Sequence, residues 1–404
     1  MPRKKLSSIV YGRHELFKYM SKMKCSLAAG PDGLPPLFFK KLAKSLAEAL
    51  SMLYDICFAN GHMSDICKHA LVTPVFKKGK SSLAENYRPI SLTCVACKIF
   101  ESVIKTRLME LFKENNTLNP SQHGFLEGHS TCTNLLECVN DWTVNLKNGN
   151  YTRVAYIDFA KAFDTVSHSK LLHKLNCLGV YGNLLNIIKS FLSNRVQRVI
   201  INNSVSEPIA MISGVPQGSV LGPVLFIVYI NDLTNIFQDN VTSKFFADDA
   251  KLYTEIRTGE DIDNLQFSLD ELSSWAQLWQ PSISIKKCFT IDLTGSKRTD
   301  TFYDNCIDDV SIENVSNARD LGVNMDSSLK FSSHLAQITS AAKQRLYLLF
   351  RSFCTKDTKS LLMGYKSYIL PLLNYFSQVW SPIYLEISTQ SNPFNTFSHG
   401  KYLV

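Results

Sequence analysis

The sequence predicts an α+β fold, in which helices and antiparallel strands share a core. Three observations predict it. Short runs of β-branched and aromatic residues come in pairs separated by turn-length breaks, as hairpins require. Elsewhere apolar residues recur at helical spacing, as at Ile262, Leu265, Leu269, Leu272 and Trp279. The composition, 45% hydrophobic and 19% charged, is that of a folded protein rather than a disordered one. At 404 residues the chain is long enough for two or three domains with a substantial core.

The first hundred residues read mainly as helices broken by turns. Gly30-Pro31-Asp32-Gly33-Leu34-Pro35-Pro36 cannot be helical and marks a sharp connection, where Asp32 is expected to bond its own backbone. Residues 71–76 (LVTPVF) read as a strand, residues 77–80 (KKGK) as a basic turn, and residues 86–92 lead into another helix. Residues 151–157 form a strand. Helices follow at 169–178 and 183–193, separated by Gly179. A hairpin then begins with residues 195–201 and turns at Asn202-Asn203. After the Gly/Pro-rich loop 214–223, residues 224–233 are helical. Residues 243–247 and 250–255 make a second hairpin with Asp248 and Asp249 at its tip, and helices close the chain from about His334.

Net charge is +8, unevenly spread: residues 1–100 carry 16 Lys+Arg against 6 Asp+Glu, and the remainder 27 against 29. A basic amino-terminal part suits a polyanion partner, because cations that neutralise phosphates release condensed counterions. A solvated surface explains the same charge equally well. Eleven cysteines are scattered, as expected of free thiols in a reducing interior. Cys94-Val-Ala-Cys97 is a lone CxxC in an apolar run and reads as structural, since a metal site needs further ligands and the sequence shows no second pair. Met-Pro-Arg-Lys-Lys at the start has no apolar stretch behind it, and the longest apolar run, residues 224–230, is too short for a bilayer. The expectation is an intracellular chain, nuclear or cytoplasmic, not secreted and without a membrane partner.

Two acidic positions carry the chemistry. Asp158 stands where the strand 151–157 gives out, and Asp248 and Asp249 stand at a hairpin tip of otherwise apolar residues. If these strands lie side by side, three carboxylates converge on one sheet edge. Such crowding is unfavourable unless a divalent cation sits between them, and hard oxygen ligands suit Mg²⁺ or Mn²⁺. Each piece alone is ordinary: Asp-Asp is common at turns, and Phe163 alone reads as core.

The ordered set of motifs is not ordinary. It comprises Ala29-Gly-Pro-Asp-Gly-Leu-Pro35, residues 74–92 (PVFKKGKSSLAENYRPISL), Gln122-His-Gly-Phe125, residues 156–164 (YIDFAKAFD), residues 214–223 (GVPQGSVLGP), Phe246-Ala-Asp-Asp249, Trp275 with Lys287-Cys288, and Leu321-Gly-Val323. In these segments and their order the chain resembles the reverse transcriptases of non-long-terminal-repeat (LINE-type, jockey-like) retrotransposons. The resemblance implies a right-hand polymerase fold of fingers, palm and thumb, working on an RNA template, a DNA primer and dNTPs. It implies that Asp158 and Asp248, with Asp249 beside them, hold two metal ions, and that Phe163 lies under the incoming sugar and excludes a 2′-hydroxyl. It implies further that Gln217 and Gly218 brace template base and nucleotide, that Arg88 and Lys77 or Lys78 hold the triphosphate, and that Lys287 protonates the leaving pyrophosphate.

The corresponding division is a helical amino-terminal extension (1–57), fingers and palm (58–325) and a truncated helical thumb (326–404). Three departures from the family pattern accompany it. Residues 280–286 (QPSISIK) lack an Asn common before the lysine, no endonuclease-like segment precedes the polymerase, and the last twenty residues match nothing familiar, as in a truncated element copy. The runner-up reading is a relic or domesticated copy that binds nucleic acid without polymerising. A group II intron maturase or telomerase-type enzyme shares the palm but not the wording of the motifs.

Overall fold

A computed structural model describes residues 2–202, 204–294, 303–353 and 357–380. Helices α1 (Arg13–Ser21), α2 (Pro36–Lys41) and α3 (Ala43–Asn60) open the chain. The turn before α2 closes through Gly33 N–H to the Gly30 carbonyl (3.0 Å) and Leu34 N–H to Asp32 Oδ1 (3.3 Å), the local bonding expected of Asp32. Leu16, Met20, Phe39, Tyr54 and Phe58 enter the same apolar core as Phe100, Leu108 and Phe191, so these helices are packed onto the body.

Strands β1 (His69–Phe76) and β2 (Tyr87–Leu92) form an antiparallel hairpin, with Leu71 opposite Leu92 and Phe76 opposite Tyr87. Residues 87–92 form β2 and lead, as expected, into the helix that begins at Val95; Pro89 is tolerated because β2 is a sheet edge. Helices α4 (Val95–Asn115) and α5 (Thr131–Lys147) follow, then β3 (Tyr151–Ala160) and helices α6 (His168–Cys177) and α7 (Gly182–Leu192). Next come β4 (Arg195–Ile201), β5 (Ser204–Val205) and β6 (Ile209–Met211). β4 and β5 make the expected hairpin, with Ile201 opposite Ser204. Of its turn residues, Asn203 lies outside the described residues. β4 also runs parallel to β1, from His69 opposite Val196 to Val72 opposite Val199, and completes a first sheet.

Helix α8 (Gly222–Ile230) is apolar on all sides and accordingly almost wholly buried. It leads to β7 (Thr242–Phe246), β8 (Asp249–Ile256), helix α9 (Gly259–Trp279), β9 (Ser282–Ile283) and β10 (Phe289–Leu293). Short strands β11 (Cys306–Ile307), β12 (Val310–Ser311), β13 (Glu313–Asn314), β14 (Asn317–Asp320) and β15 (Val323–Asp326) precede helices α10 (Ser332–Ser352), α11 (Thr358–Gly364), α12 (Leu370–Asn374) and α13 (Ser377–Trp380). The expected closing helices are therefore present as far as Trp380; Ser381 and Pro382 of the last family-like segment lie outside the described residues.

The second sheet runs β13-β10-β3-β8-β7, with β3 at its centre. Successive side chains of a strand point to opposite faces. Ala155, Ile157 and Phe159 thus join the large core with α8 and α9, while Val154 and Tyr156 join a second core with Leu135, Trp142 and Met325. Both faces being covered explains why β3 reads as a continuous apolar run rather than an alternating one.

One ion pair is buried against this sheet. Lys251 on β8 lies opposite Tyr156, and its ammonium is 2.6 Å from Asp320 of β14, with side-chain exposures of 2% and 4%. The Tyr156 hydroxyl donates to the same carboxylate at 3.1 Å. Removing one charge strands the other in an apolar setting, whereas replacing both removes the desolvation penalty as well. Lys251→Met or Asp320→Leu alone should therefore cost about 3–5 kcal/mol, and the double replacement much less than the sum, both read by denaturant unfolding. Additive losses would mean the pair is not coupled.

Candidate active site

β3 and the β7–β8 hairpin end at the same edge of the second sheet. Asp158 lies directly opposite Asp249, which puts their Cβ atoms about 5 Å apart on one face. The sequence reading placed both aspartates at the hairpin tip. In the structure the tip is one residue earlier: Phe246 pairs with Asp249, and Ala247 (φ 57°) and Asp248 make the turn. Asp249 is thereby a ladder residue facing Asp158, and Asp248 projects from the turn beside them.

The tip is held from outside. Gln122 Oε1 accepts from the backbone N–H of Ala247 (2.9 Å) and of Gly124 (2.7 Å), and His123 N–H donates to the Phe245 carbonyl (2.8 Å). Gly124 presses so closely that a Cβ there would fall 2.3 Å from the Ala247 nitrogen, so only glycine fits. Gln122-His-Gly was legible as a motif, but its role as the clamp on the tip was not.

The carboxylates crowd one another. Asp249 is open to solvent on one side and walled by protein on the others, and its carboxyl is pushed up to about 6, by burial first and then by Asp248, Asp320 and Asp158. Asp248 is raised too, by burial and by Asp158, with Arg88 and Lys77 acting in the opposite direction. Lys287, from a short 3₁₀ turn after β9, places its ammonium 3.0 Å from Asp158. That lysine is largely exposed (70%), so the ion pair is weak and exchangeable. Clustered oxygen ligands whose ionisation burial and mutual repulsion oppose fit a hard divalent cation.

Beside the carboxylates the turn after β3 meets the loop 214–223. Phe163 is half-buried, stacked on Phe226 (centroids 4.3 Å, 17°) and edge-on to Phe125 (6.3 Å, 85°). Its carbonyl accepts from Val215 N–H at 2.8 Å. Gln217 bridges two elements: its Nε2 donates to Asp164 Oδ1 (3.0 Å), and its carbonyl accepts from Ser91 N–H of β2 (2.7 Å). Gly218 has φ 108°, and a Cβ would lie 2.6 Å from the Ser91 carbonyl, so a side chain there would push β2 off the loop. A cavity of about 220 Å³ lies at this junction, lined by Pro89, Ser91, Asp164 and Gln217 among others.

The structure thus brings Asp158, Asp248, Asp249 and Lys287 into one cluster, with Lys77 and Arg88 within electrostatic reach. Lys78 is exposed at the hairpin end, and Lys77 is the member of the pair whose charge bears on Asp248. Glu101 went unnoticed. Fully buried on α4, it accepts through Oε2 from the backbone N–H groups of Val220 (2.7 Å) and Leu221 (2.9 Å), just ahead of α8. An anion there satisfies helix-end donors and complements the helix dipole. The available signal was an acidic residue on the apolar stripe Cys97, Ile104 and Leu108.

Residues 75–325 match the reverse transcriptase (RNA-dependent DNA polymerase) family. The chain is 30% identical over 384 residues to the probable RNA-directed DNA polymerase from transposon BS of Drosophila melanogaster, an alignment covering 91% of this chain and 42% of that protein. It is 28% identical over 379 residues to the RNA-directed DNA polymerase from mobile element jockey of the same species, covering 91% and 41%. A protein from type-2 retrotransposable element R2DM is similar at 22% over 346 residues, covering 81% and 31%. The chain therefore spans less than half the length of these curated relatives. The family match covers more than half of this chain and takes in the facing aspartates, the clamped tip and the Gln217 loop alike, and the chain belongs to the reverse transcriptases.

Proposed function

We propose that this chain is the RNA-directed DNA polymerase of a non-LTR mobile element, transferring a nucleotidyl group from a dNTP to the 3′-hydroxyl of a DNA primer on an RNA template. The single observation that carries the reading is Asp158 facing Asp249 across the ladder with Asp248 in the adjoining turn. On this reading the first sheet is the fingers, the second the palm, and the helices from Ser332 the thumb. Residues 1–57, 58–325 and 326–404 are the extension, the fingers with palm, and the thumb.

The three carboxylates would hold Mg²⁺ or Mn²⁺. Bound there, the metal supplies activation of the attacking hydroxyl and neutralisation of the leaving oxygen. Arg88 on the edge strand can grip phosphate oxygens bidentately, with Lys77 alongside as a point charge. Phe163, fixed by its stack on Phe226, offers a flat ring under the sugar with no room for a 2′-hydroxyl. Gln217 and Gly218 present backbone to the base pair, at a position where any side chain would collide with β2. Lys287, paired with Asp158 at 3.0 Å, would move a proton to the departing pyrophosphate as that pairing exchanges.

Primer extension on an RNA template with and without Mg²⁺ tests the reading directly. A folded chain that binds RNA in Mg²⁺ or Mn²⁺ without extending a primer would transfer it to the non-polymerising class. Asp248→Ala should reduce extension by about two to four orders of magnitude, because several kcal/mol of transition-state stabilisation is lost at about 1.36 kcal/mol per tenfold. The same variant should melt no lower than the parent in chelator, since like-charge repulsion is relieved. Phe163→Val should let ribonucleotides compete, as read by single-nucleotide incorporation with dNTP and rNTP in parallel; an unchanged preference for dNTP returns Phe163 to the core. Lys77→Ala should raise the nucleotide KM more than Lys78→Ala with RNA affinity unchanged, and the reverse order would assign the triphosphate to Lys78.

A further inference from the structure

A second site lies away from the carboxylates, at the base of the β1–β2 hairpin. The sequence shows only the Cys94–Cys97 pair, and on that ground it read as structural. The fold adds Cys67, from the 3₁₀ turn Asp65–Lys68, and the three sulfur atoms all lie within 4.8 Å of one another. The Cys67 and Cys94 sulfurs are 3.8 Å apart, and the Cys97 sulfur is 3.6 Å from the Cys67 carbonyl oxygen. Cys94 and Cys97 are buried, Cys67 is partly open, and all three are free thiols. Cys94 is the N-cap of α4, which puts Cys97 in its first turn. Unpaired N–H groups and the helix dipole favour thiolates there.

A separate observation concerns Arg195. It is 1% exposed, and its Nη1 donates to the Phe191 carbonyl at 2.9 Å, but its Nε and Nη2 have no partner. Its charge bears on Cys67, Cys94, Cys97 and Glu101 together. Glu101 is already engaged, by the Val220 and Leu221 amides at Oε2 and by the Cys97 thiol, 3.2 Å from Oε1. A buried guanidinium with two idle donors is costly unless an anion faces it. Three neutral thiols supply none. Three thiolates around a divalent ion carry one net negative charge, which a buried cation in their neighbourhood stabilises.

We propose that Cys67, Cys94 and Cys97 bind one Zn²⁺ as thiolates, with an oxygen ligand in the fourth position. Soft sulfur ligands in a tetrahedral set select zinc over the hard cations suited to the carboxylate site. Binding forms three Zn–S bonds and releases three thiol protons to solvent, with no change of oxidation state. Cys67 lies just before β1 and Cys94 just after β2, so the ion ties together the two open ends of the hairpin that carries Lys77 and Arg88. Cys97 also stands one helical turn from Glu101, whose Oε2 holds the loop that carries Gln217. Its role is to stiffen the joint between the two sheets, and the inference does not depend on the polymerase reading.

The full chain, dialysed against Zn²⁺ with a thiol reductant and then freed of excess metal, should retain one zinc per chain. X-ray absorption at the zinc edge should show three sulfur neighbours at about 2.3 Å and one lighter atom. Chelation should lower Tm. Co²⁺ in place of zinc should give thiolate charge-transfer bands that Cys67→Ser and Cys97→Ser lose, while Cys25→Ser and Cys177→Ser, at exposed positions, keep them. The sulfur count is made on the unaltered chain, so it decides the matter even if a cysteine variant fails to fold. A folded chain that holds no zinc, a shell of nitrogen and oxygen only, or metal binding that persists in Cys67→Ser would overturn the proposal.

Discussion

The register of β3 against β8 is the constraint from which the site follows. A one-residue slip in an antiparallel ladder sends every side chain to the other face. Here it would take Asp249 away from Asp158 and drive Lys251 out of its pocket. Three features oppose the slip. Alternate residues of β3 belong to two different cores. Lys251 and Tyr156, a cross-strand pair, both reach Asp320 on the face away from the large core. At the far end, Gln122 and the backbone of His123 fix the turn itself. The ladder must be held this firmly because its last pair is two acidic residues, which taken alone would repel the strand ends apart.

A second constraint joins the two sheets. Strand β2 touches the second sheet's machinery through the Ser91–Gln217 backbone bond, and Gln217 continues to Asp164, six residues beyond Asp158. Glu101 ends the same loop by capping α8. The result is a continuous path from Arg88's strand to the turn after Asp158, made of one backbone bond and one side-chain bond and closed by a glycine that admits no side chain. Backbone-to-backbone contact transmits position without the slack of long side chains.

Much of this was legible in the sequence because the site elements are locally strong. The β-branched run 151–157, the loop 214–223 and the FADD segment each announce themselves, and Asp158, Asp248 and Asp249 fall where they were expected to converge. The misreadings share a cause. Local signals gave Phe246-Ala-Asp-Asp249 a tip one residue late, because Ala247 at φ 57° is adopted only under the grip of Gln122, far away in the chain. Glu101, Asp320 and Cys67 were not singled out, and their partners lie 119, 69 and 27 positions away. Spacing within a motif is visible in a sequence; pairing between elements is not.

The distribution of charge in the interior separates structural groups from those left for ligands. Arg153 is held bidentately by Asp292 (2.7 and 2.8 Å), Lys174 lies 2.6 Å from Asp232 and 3.6 Å over the Trp279 ring, and Lys251 is matched to Asp320. Each charge that is buried in these elements is answered by the protein, as the cost of desolvating an ion demands. Two places depart from that pattern in opposite senses. At the edge of the second sheet, three carboxylates crowd one another, and the Lys287–Asp158 pair is exposed and exchangeable. At the base of the first sheet, Arg195 keeps two donors idle beside three thiols. Crowded acidic oxygens suit a hard divalent ion, and clustered thiols suit a soft one that turns them into anions. Both places connect to the loop 214–223, the carboxylate edge through Asp164 and Gln217 and the thiols through Glu101 on the same helix as Cys94 and Cys97.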